Sequence, residues 1–204
     1  MTGLNFKDTL VLDTLPGIKK IVILERASST QEVAREMATH GGMENTLVLA
    51  LTQETGKGRM GRVWESGPGG IYMTLILQPS IGLKFLGELS VLAGRVAADT
   101  LKQLYSLTTR VKLPNDVYAL YPKKKKYFKV AGILTESSSV HNAPNWILLG
   151  VGVNLNNSVS LPTGCGVSEI LKKEVSREEF LQAFFKNFWQ LYSAWEYSSE
   201  SKSL

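Results

Sequence analysis

Gln-Glu-Thr-Gly-Lys-Gly-Arg-Met-Gly-Arg-Val-Trp at residues 53–64 follows an apolar run and puts three glycines, three cations and an indole into one short segment. Glycine lets the backbone come close to a ligand and take positive φ, its N–H groups can line a concavity, and Lys57, Arg59 and Arg62 add charge. The segment predicts a loop built to hold an anion, and so a phosphorylated or carboxylated ligand. Gly56, Gly58 and Gly61 also satisfy Gly-x-Gly-x-x-Gly, and Val63 completes the glycine-rich pattern of protein kinases. Both readings fail on context. A dinucleotide fingerprint opens a helix and is followed about 20 residues later by an acid, whereas Ile71 to Gln78 reads as a strand with no acid. A kinase needs His-Arg-Asp and Asp-Phe-Gly further along, and neither tripeptide occurs.

Composition bounds the remaining classes. A chain of 204 residues with 44% hydrophobic and 20% charged residues makes one ordinary globular domain with a full core. No apolar stretch approaches the roughly 18 residues that span a membrane, and Met-Thr-Gly-Leu-Asn-Phe-Lys-Asp at the start lacks the features of a signal peptide. A soluble, cytoplasmic protein without a membrane partner is expected. The single cysteine, Cys165, excludes an internal disulfide, and His40 and His141 are the only imidazoles, so a Cys/His metal site is not expected. Much of the net charge of +5 sits at Lys123 to Lys126, read as the solvated tip of a hairpin between Val117–Leu120 and Phe128–Glu136. Such a run alone gives only salt-sensitive, sequence-blind binding to nucleic acid. Residues 1–17 are too short for a helix-turn-helix, so no DNA partner is expected.

Outward from the loop, periodicity gives alternating elements. Ile21–Leu24 reads as a strand and Thr30–His40 as a helix, with Ser29 as N-cap, Glu32 completing a capping box and Gly41-Gly42 as the stop. Thr46–Thr52 and Ile71–Gln78 read as strands on either side of the loop. Residues 85–105 set Leu86, Leu89, Ala93, Val96, Ala97 and Leu101 on one helical face. Four strands follow, at Arg110–Leu113, Val117–Leu120, Phe128–Glu136 and Trp146–Asn154. A last helix, capped by Ser176, carries a stripe of Phe180, Phe184, Phe188 and Leu191 beside Leu181, Phe185 and Tyr192, read as core packing. The fold class is α/β (α+β): a mixed sheet packed with helices.

Three further segments carry chemistry. Val-Lys-Leu-Pro-Asn-Asp-Val at 111–117 gathers a cation, an amide and a carboxylate at a strand break, or else makes a self-capped Asn-Asp turn. Lys129-Val-Ala-Gly-Ile-Leu-Thr-Glu starts an apolar strand with a lysine, either functional or snorkelling at an edge. Gly150-Val-Gly-Val-Asn-Leu ends a strand with two glycines and Asn154, where a ligand can approach the backbone or the strand can bulge.

In this order, Ser29-Thr30, Gln53–Trp64, Lys112–Val117, Lys129–Glu136 and Gly150–Leu155 resemble the biotin–protein ligases over most of residues 21–156. The resemblance implies the catalytic-domain fold shared with lipoate–protein ligases and octanoyltransferases. It implies biotin and ATP as substrates, Mg²⁺, and a biotin carboxyl carrier protein, such as that of acetyl-CoA carboxylase, as acceptor; a homodimer stays open. Carried over by position, Ser29, Thr30, Gln31 and Gln53 resemble residues that orient biotin, and Gly132 lets the strand backbone approach it. Lys57, Gly58 and Arg59 match the loop that closes on biotin and the adenylate phosphate. Arg59, Arg62, Trp64, Lys112, Asn115 and Asn154 fall where the family handles ATP, with Trp64 a stacking surface for adenine. Lys129 and Arg59 are the implied catalytic cations, and Asp116 would orient Lys112 or help to hold Mg²⁺.

Departures from the family pattern are specific. Lys57 replaces a common arginine and Leu113 a common tryptophan. The expected domain plan is an N-terminal extension at 1–17, a catalytic domain at 18–197 and a tail at 198–204, without the family's N-terminal DNA-binding or C-terminal β-rich domain. That plan would make a monofunctional ligase with no repressor role. The rival reading is an octanoyl or lipoyl transferase using Lys129 and Cys165, the latter flanked by glycines in Thr163-Gly-Cys-Gly. The ligase reading instead takes Cys165 as inert.

Overall fold

The computed structural model describes residue 12 and residues 14–79, 85–140 and 143–201. Most of the predicted extension at 1–17, and the last three residues of the predicted tail, lie outside these ranges. Strand β1 (Lys20–Ala27), helix α1 (Thr30–Thr39) and strand β2 (Thr46–Gln53) form a parallel crossover unit. Strand β3 (Ile71–Leu77), helix α2 (Leu86–Tyr105) and the hairpin of β4 (Thr109–Lys112) and β5 (Asp116–Tyr121) follow. The longest strands, β6 (Lys126–Val140) and β7 (Ala143–Val153), precede a short helix α3 (Val167–Leu171) and the long α4 (Arg177–Ser201). The seven strands make one mixed sheet in the order β1-β2-β3-β7-β6-β5-β4, with only the β1–β2 pair parallel.

The sheet is apolar on both faces, and period-2 alternation sorts its residues. Leu47, Leu49, Met73, Leu75, Leu149 and Val151 face α2 and α4 in the main core, while Val48, Ile76, Trp146 and Leu148 face α1 with Ala34 and Ala38. The first face is fully covered: α2 lies on β4, β5 and β6, and α4 packs on α2. Phe180, Phe184, Phe188 and Tyr192 stack along α4 with successive ring centroids 5.9, 6.0 and 5.3 Å apart. Leu191, placed on that stripe by sequence, is exposed instead, because the stripe advances by four residues per step to Tyr192 and leaves position 191 turned outward. The second face has only the ten residues of α1, which cover β2, β3 and part of β7.

Local signals explain the ends of α1. Ser29 is the N-cap, with extended backbone and Oγ accepting from the Gln31 N–H at 3.3 Å. The expected return of Glu32 to the cap does not form. Its carboxylate takes the Ser28 hydroxyl and the Lys57 ammonium, each at 2.8 Å, because a charged donor is a stronger partner than a backbone N–H. Gly41 at φ +80° stops the helix as predicted, and the Gly42 N–H returns to the Met37 carbonyl at 2.8 Å. The lysine run forms the tight turn between β5 and β6, as the sequence indicates. Helix α3 has no counterpart in the sequence reading, and α4 continues to Ser201, past the boundary set for the tail. No helix among the described residues is long and apolar enough to cross a membrane.

Truncating Phe184, which is fully buried inside the aromatic stack, should cost about 3–5 kcal/mol in urea unfolding as Phe184→Ala. The same measurement on Leu191→Ala should stay within about 0.5 kcal/mol; equal losses at the two positions would refute the assignment of the stripe.

Candidate active site

Beyond the end of α1, the second face of the sheet opens into a cavity of about 350 Å³. Its floor is made of three strand glycines, and each is required by space. A Cβ on Gly150 would lie 2.5 Å from the Gln31 amide oxygen, one on Gly152 2.6 Å from the Trp64 indole nitrogen, and one on Gly132 2.9 Å from the same ring. The group resting on Gly132 and Gly152 in this structure is therefore the Trp64 indole, whose Nε1 is buried without a hydrogen-bond partner.

One wall is a polar chain running from the start of α1 across β2 and β3. Gln53 Oε1 accepts from the Thr30 N–H at 2.8 Å and from its hydroxyl at 3.1 Å, and Gln53 Nε2 donates to Ser66 Oγ at 2.8 Å. Thr74 Oγ1 lies 2.9 Å from Thr30 Oγ1 and 3.0 Å from Gln31 Oε1. These groups are mutually satisfied and, apart from the partly exposed Gln53, buried, so the wall is ordered before any ligand arrives.

The glycine-rich loop folds on itself. Gly58 N–H donates to the Arg62 carbonyl and Trp64 N–H to the Gly56 carbonyl, both at 2.8 Å, and Arg62 N–H reaches the Arg59 carbonyl at 3.2 Å. Those three N–H groups are used inside the loop, which corrects the expectation that its backbone lines an anion hole. Positive φ occurs at Met60 (57°) and Gly61 (72°) but not at Gly56 or Gly58. Gly56 is needed instead because a Cβ there would meet the Trp64 carbonyl at 2.4 Å. Side-chain contacts tie the later part of the loop down: Lys57 to Glu32 at 2.8 Å, Arg59 Nη1 to Asn115 Oδ1 at 3.3 Å, and Glu65 to Ser160, whose N–H donates at 2.9 Å. Lys57 hydrogen bonding holds the Glu32 carboxyl below its ordinary pKa, and Ser160 does the same for Glu65.

Lys129 is aimed by a defect in the sheet. The β5–β6 register shifts between Val117 and Tyr118, which pair with Ala131 and Lys129 and leave Val130 as an extra residue. Alternation without this bulge would turn Lys129 to the side of Ala131 and Ile133, into the core. With it, Val130 and Ala131 both face the core, and Lys129 joins Gly132 on the cavity face. Lys129 is not at an edge, since its N–H donates to the Thr163 carbonyl at 2.8 Å and its carbonyl accepts from Cys165 N–H at 3.1 Å. Its Nζ lies 2.7 Å from Asp116 Oδ1 and 5.1 Å from the Trp64 ring centroid.

The two asparagines of the site are fixed in opposite senses. Asn115 Nδ2 donates to the Ile133 carbonyl at 3.0 Å, leaving its oxygen toward Arg59. Asn154 Oδ1 accepts from Asn157 Nδ2 at 3.0 Å, leaving its NH₂ for the cavity it lines. One amide thus presents an acceptor and the other a donor.

Of the residues singled out by sequence, Ser29, Thr30, Gln31, Gln53, Lys57, Gly58, Arg59, Arg62, Trp64, Asn115, Asp116, Lys129, Gly132 and Asn154 all line this cavity. Lys112 does not. It stands opposite Asp116 in the hairpin register, with Nζ 5.9 Å from the Tyr118 ring, and Asp116 pairs with Lys129 rather than with it. Leu113 is exposed and offers no stacking wall. No group of three His, Cys, Asp or Glu that could hold a metal occurs among the described residues, and Asp116 is committed to Lys129. The described residues thus build no all-protein cage for Mg²⁺, an ion that one or two carboxylates hold together with substrate phosphates. Sequence reading missed Thr74, Tyr118, Glu65 and Asn157. Thr74 was findable as the hydroxyl inside an otherwise apolar strand, and Asn157 as part of the Asn-x-Asn-Asn run at 154–157.

Cys165 is 1% exposed, belongs to the main core and does not line the cavity. Burial, with the nearby Glu169 carboxylate, pushes its thiol up to about 12. A buried neutral thiol is no nucleophile, so the geometry removes it from the transferase reading and agrees with the inert one.

A family model for the biotin/lipoate A/B protein ligase family matches residues 23–154. The chain belongs to this family. It is 38% identical over 130 residues to the bifunctional ligase/repressor BirA of Bacillus subtilis (strain 168), a match covering 63% of this chain and 38% of that one. It is 36% identical over 135 residues to the biotin–[acetyl-CoA-carboxylase] ligase of Paracoccus denitrificans, covering 65% of this chain and 53% of that one. The matched region therefore spans well under two thirds of these relatives' length. The structure superposes on a biotin protein ligase from Aquifex aeolicus in complex with biotin and ATP with a TM-score of 0.75 at 26% identity, covering 89% of this chain and 74% of that one.

The Cys165 thiol should resist iodoacetamide in the folded protein at neutral pH and react once the chain is unfolded. Its folded pKa is raised from an ordinary value of 9.0 to about 12. The stability it contributes is therefore full below pH 9 and is lost as pH rises through about 12. Rapid alkylation of the native protein at neutral pH would return Cys165 to the list of nucleophiles.

Proposed function

We propose that this protein activates biotin with ATP as biotinyl-5′-AMP and transfers the biotinyl group to a lysine of a biotin carboxyl carrier protein. The observation that carries the proposal is the bulge at Val130, which takes Lys129 out of the core and puts its ammonium in a cavity that has a hydrogen-bonding wall on one side and Arg59 and Arg62 on the other. The family assignment and the A. aeolicus structure, described as a complex with biotin and ATP, support the same reading.

The chemistry asks for these residues. A biotin carboxylate oxygen attacks the α-phosphorus of ATP and pyrophosphate leaves; the acceptor amine then attacks the acyl carbon and AMP leaves. In the first step two anions must come together in a site shielded from water. Lys129 neutralises the meeting carboxylate and phosphate, and exchanging its Asp116 partner for them keeps its charge compensated throughout. One such close pair is worth up to about 4 kcal/mol at an effective dielectric of about 20. Arg59, already turned toward the site by Asn115, supplies a second cation for the phosphate. The wall formed by Ser29, Thr30, Gln31 and Gln53 orients the polar head of biotin. Because the Trp64 indole rests on Gly132 and Gly152, biotin reaches that floor only when the ring swings away, toward where the adenine would stack. Asn154, held by Asn157, gives the nucleotide a donor.

Protein mixed with biotin and ATP should yield biotinyl-AMP by mass spectrometry, and a carrier domain added afterwards should gain biotin. Lys129→Ala should slow adenylate formation about a thousandfold while retaining most biotin binding; unchanged turnover would remove Lys129 from the mechanism.

Asn157→Leu frees the Asn154 amide to turn over. It should raise the KM for ATP several-fold with little change in kcat or in the KM for biotin, and it should add nothing in an Asn154→Asp background. Additive losses in the double variant would make Asn157 merely structural.

A further inference from the structure

The β4–β5–β6 end of the sheet carries a charge that the adenylation chemistry does not use. Residues 109–129 contain seven of the chain's Lys and Arg and one of its Asp and Glu, a local charge of 7 − 1 = +6 in a chain whose total is +5. The rest of the molecule sums to 5 − 6 = −1. The register puts part of this charge on the open face: Arg110 stands opposite Tyr118, Lys112 opposite Asp116, and Tyr118 opposite Lys129. Arg110 lies 4.1 Å from the Tyr127 ring centroid and 5.6 Å from that of Tyr118. The rings hold these cations flat without neutralising them, since among the described residues Arg110, Lys112, Lys123, Lys125 and Lys126 make no ion pair.

This charge reaches the cavity. Arg110 and Lys112 lie 5.6 and 5.9 Å from the ring centroid of Tyr118, which itself lines the cavity. Apolar side chains flank the same mouth: Met60, Val63 and Leu161 line it while remaining 89%, 69% and 52% exposed. A ligand small enough for the cavity leaves most of that surface in water, whereas a folded protein lowering a side chain into the mouth would cover it.

We propose that this basic end of the sheet, with the apolar rim of Met60, Val63 and Leu161, is the docking surface for the acceptor protein, and that the acceptor carries an acidic surface beside its target lysine. The proposal rests on the ligase reading above. Its chemical reason is that the arriving group is itself an ammonium: a lysine approaching a mouth beside this basic end of the sheet is repelled unless its own protein brings compensating carboxylates. Opposite fields also steer the encounter, an effect that salt removes. A nucleic acid would meet the same cations, but its phosphate backbone has no use for an apolar rim around the mouth.

Lys123 and Lys125 are exposed at the turn, make no ion pair among the described residues and stand outside the cavity. The double variant Lys123→Glu/Lys125→Glu changes the local charge by four units and should leave thermal stability and biotinyl-AMP formation unchanged. Its kcat/KM for a biotin carboxyl carrier domain should fall about tenfold or more at low salt, and the difference from wild type should close at high salt. Replacing Glu and Asp beside the carrier's target lysine by Gln and Asn should weaken transfer by the wild-type enzyme and rescue the double variant relative to it. Carrier transfer that is unchanged in the double variant, or equally impaired at every salt concentration, overturns the proposal. So does a variant that loses only affinity for duplex DNA. If the wild-type protein makes no biotinyl-AMP, the ligase reading itself fails and this proposal falls with it; adenylate formation without the charge effect on transfer sinks the docking surface alone.

Discussion

The site exists because the two faces of the sheet are unequally covered. A sheet with apolar residues on both sides must bury both, and α2 and α4 do this on one side with a continuous aromatic and aliphatic core. On the other side α1 is only ten residues long and reaches only β2, β3 and part of β7. The uncovered stretch of β3, β7, β6 and β5 cannot be left as bare apolar surface. It is filled instead by a self-satisfied polar chain, three glycines and the Trp64 indole, and a surface that one more helix would have closed becomes a cavity.

Within that cavity the electrostatics depend on backbone irregularity. The extra residue at Val130 is accommodated because the Val130 carbonyl is taken by the Asn154 N–H at 2.8 Å and because the segment at 163–165 continues the pairing of β6 beyond the end of β7. A lysine at the centre of a sheet is thereby brought out beside Asp116, and a charge that would be prohibitive in the core becomes a partly buried ion pair at the cavity. The same 163–165 segment, while supporting Lys129, buries the Cys165 side chain on the opposite side. One short stretch of chain both steadies the cation and retires the thiol.

The two ends of the cavity divide the work of a two-step transfer. The α1 side is ordered and hydrogen-bonded, suited to holding a small polar head group. The β4–β5–β6 side is cationic, opens toward solvent and has apolar side chains at its lip, suited to phosphates first and a protein afterwards. The loop at 54–65 lies between them, tied to α1 through Lys57–Glu32, to the β4–β5 turn through Arg59–Asn115, and to the 156–166 segment through Glu65–Ser160. Its first residues are also held to the end of β1, where the Glu54 N–H reaches the Ala27 carbonyl at 3.0 Å and the Thr55 N–H the Ser28 carbonyl at 2.9 Å.

Sequence by itself determined the alternation that builds the sheet, the helical stripe of Phe180, Phe184 and Phe188, the Ser29 cap, the hairpin at the lysine run and about half of the residues that line the cavity. Those features are local or periodic, and short-range sterics, burial and motif order record them. Tertiary structure alone decided where Lys129 points, because a bulge is a relation between two strands that neither strand's sequence contains. It also decided that Asp116 serves Lys129 and not Lys112, that Glu32 leaves its own helix cap for Lys57, that Trp64 rests on Gly132, and that Asn157 orients Asn154. Each of these is a choice among competing partners for one polar or aromatic group, and such a choice is settled only by which candidates the fold brings within hydrogen-bonding or van der Waals distance.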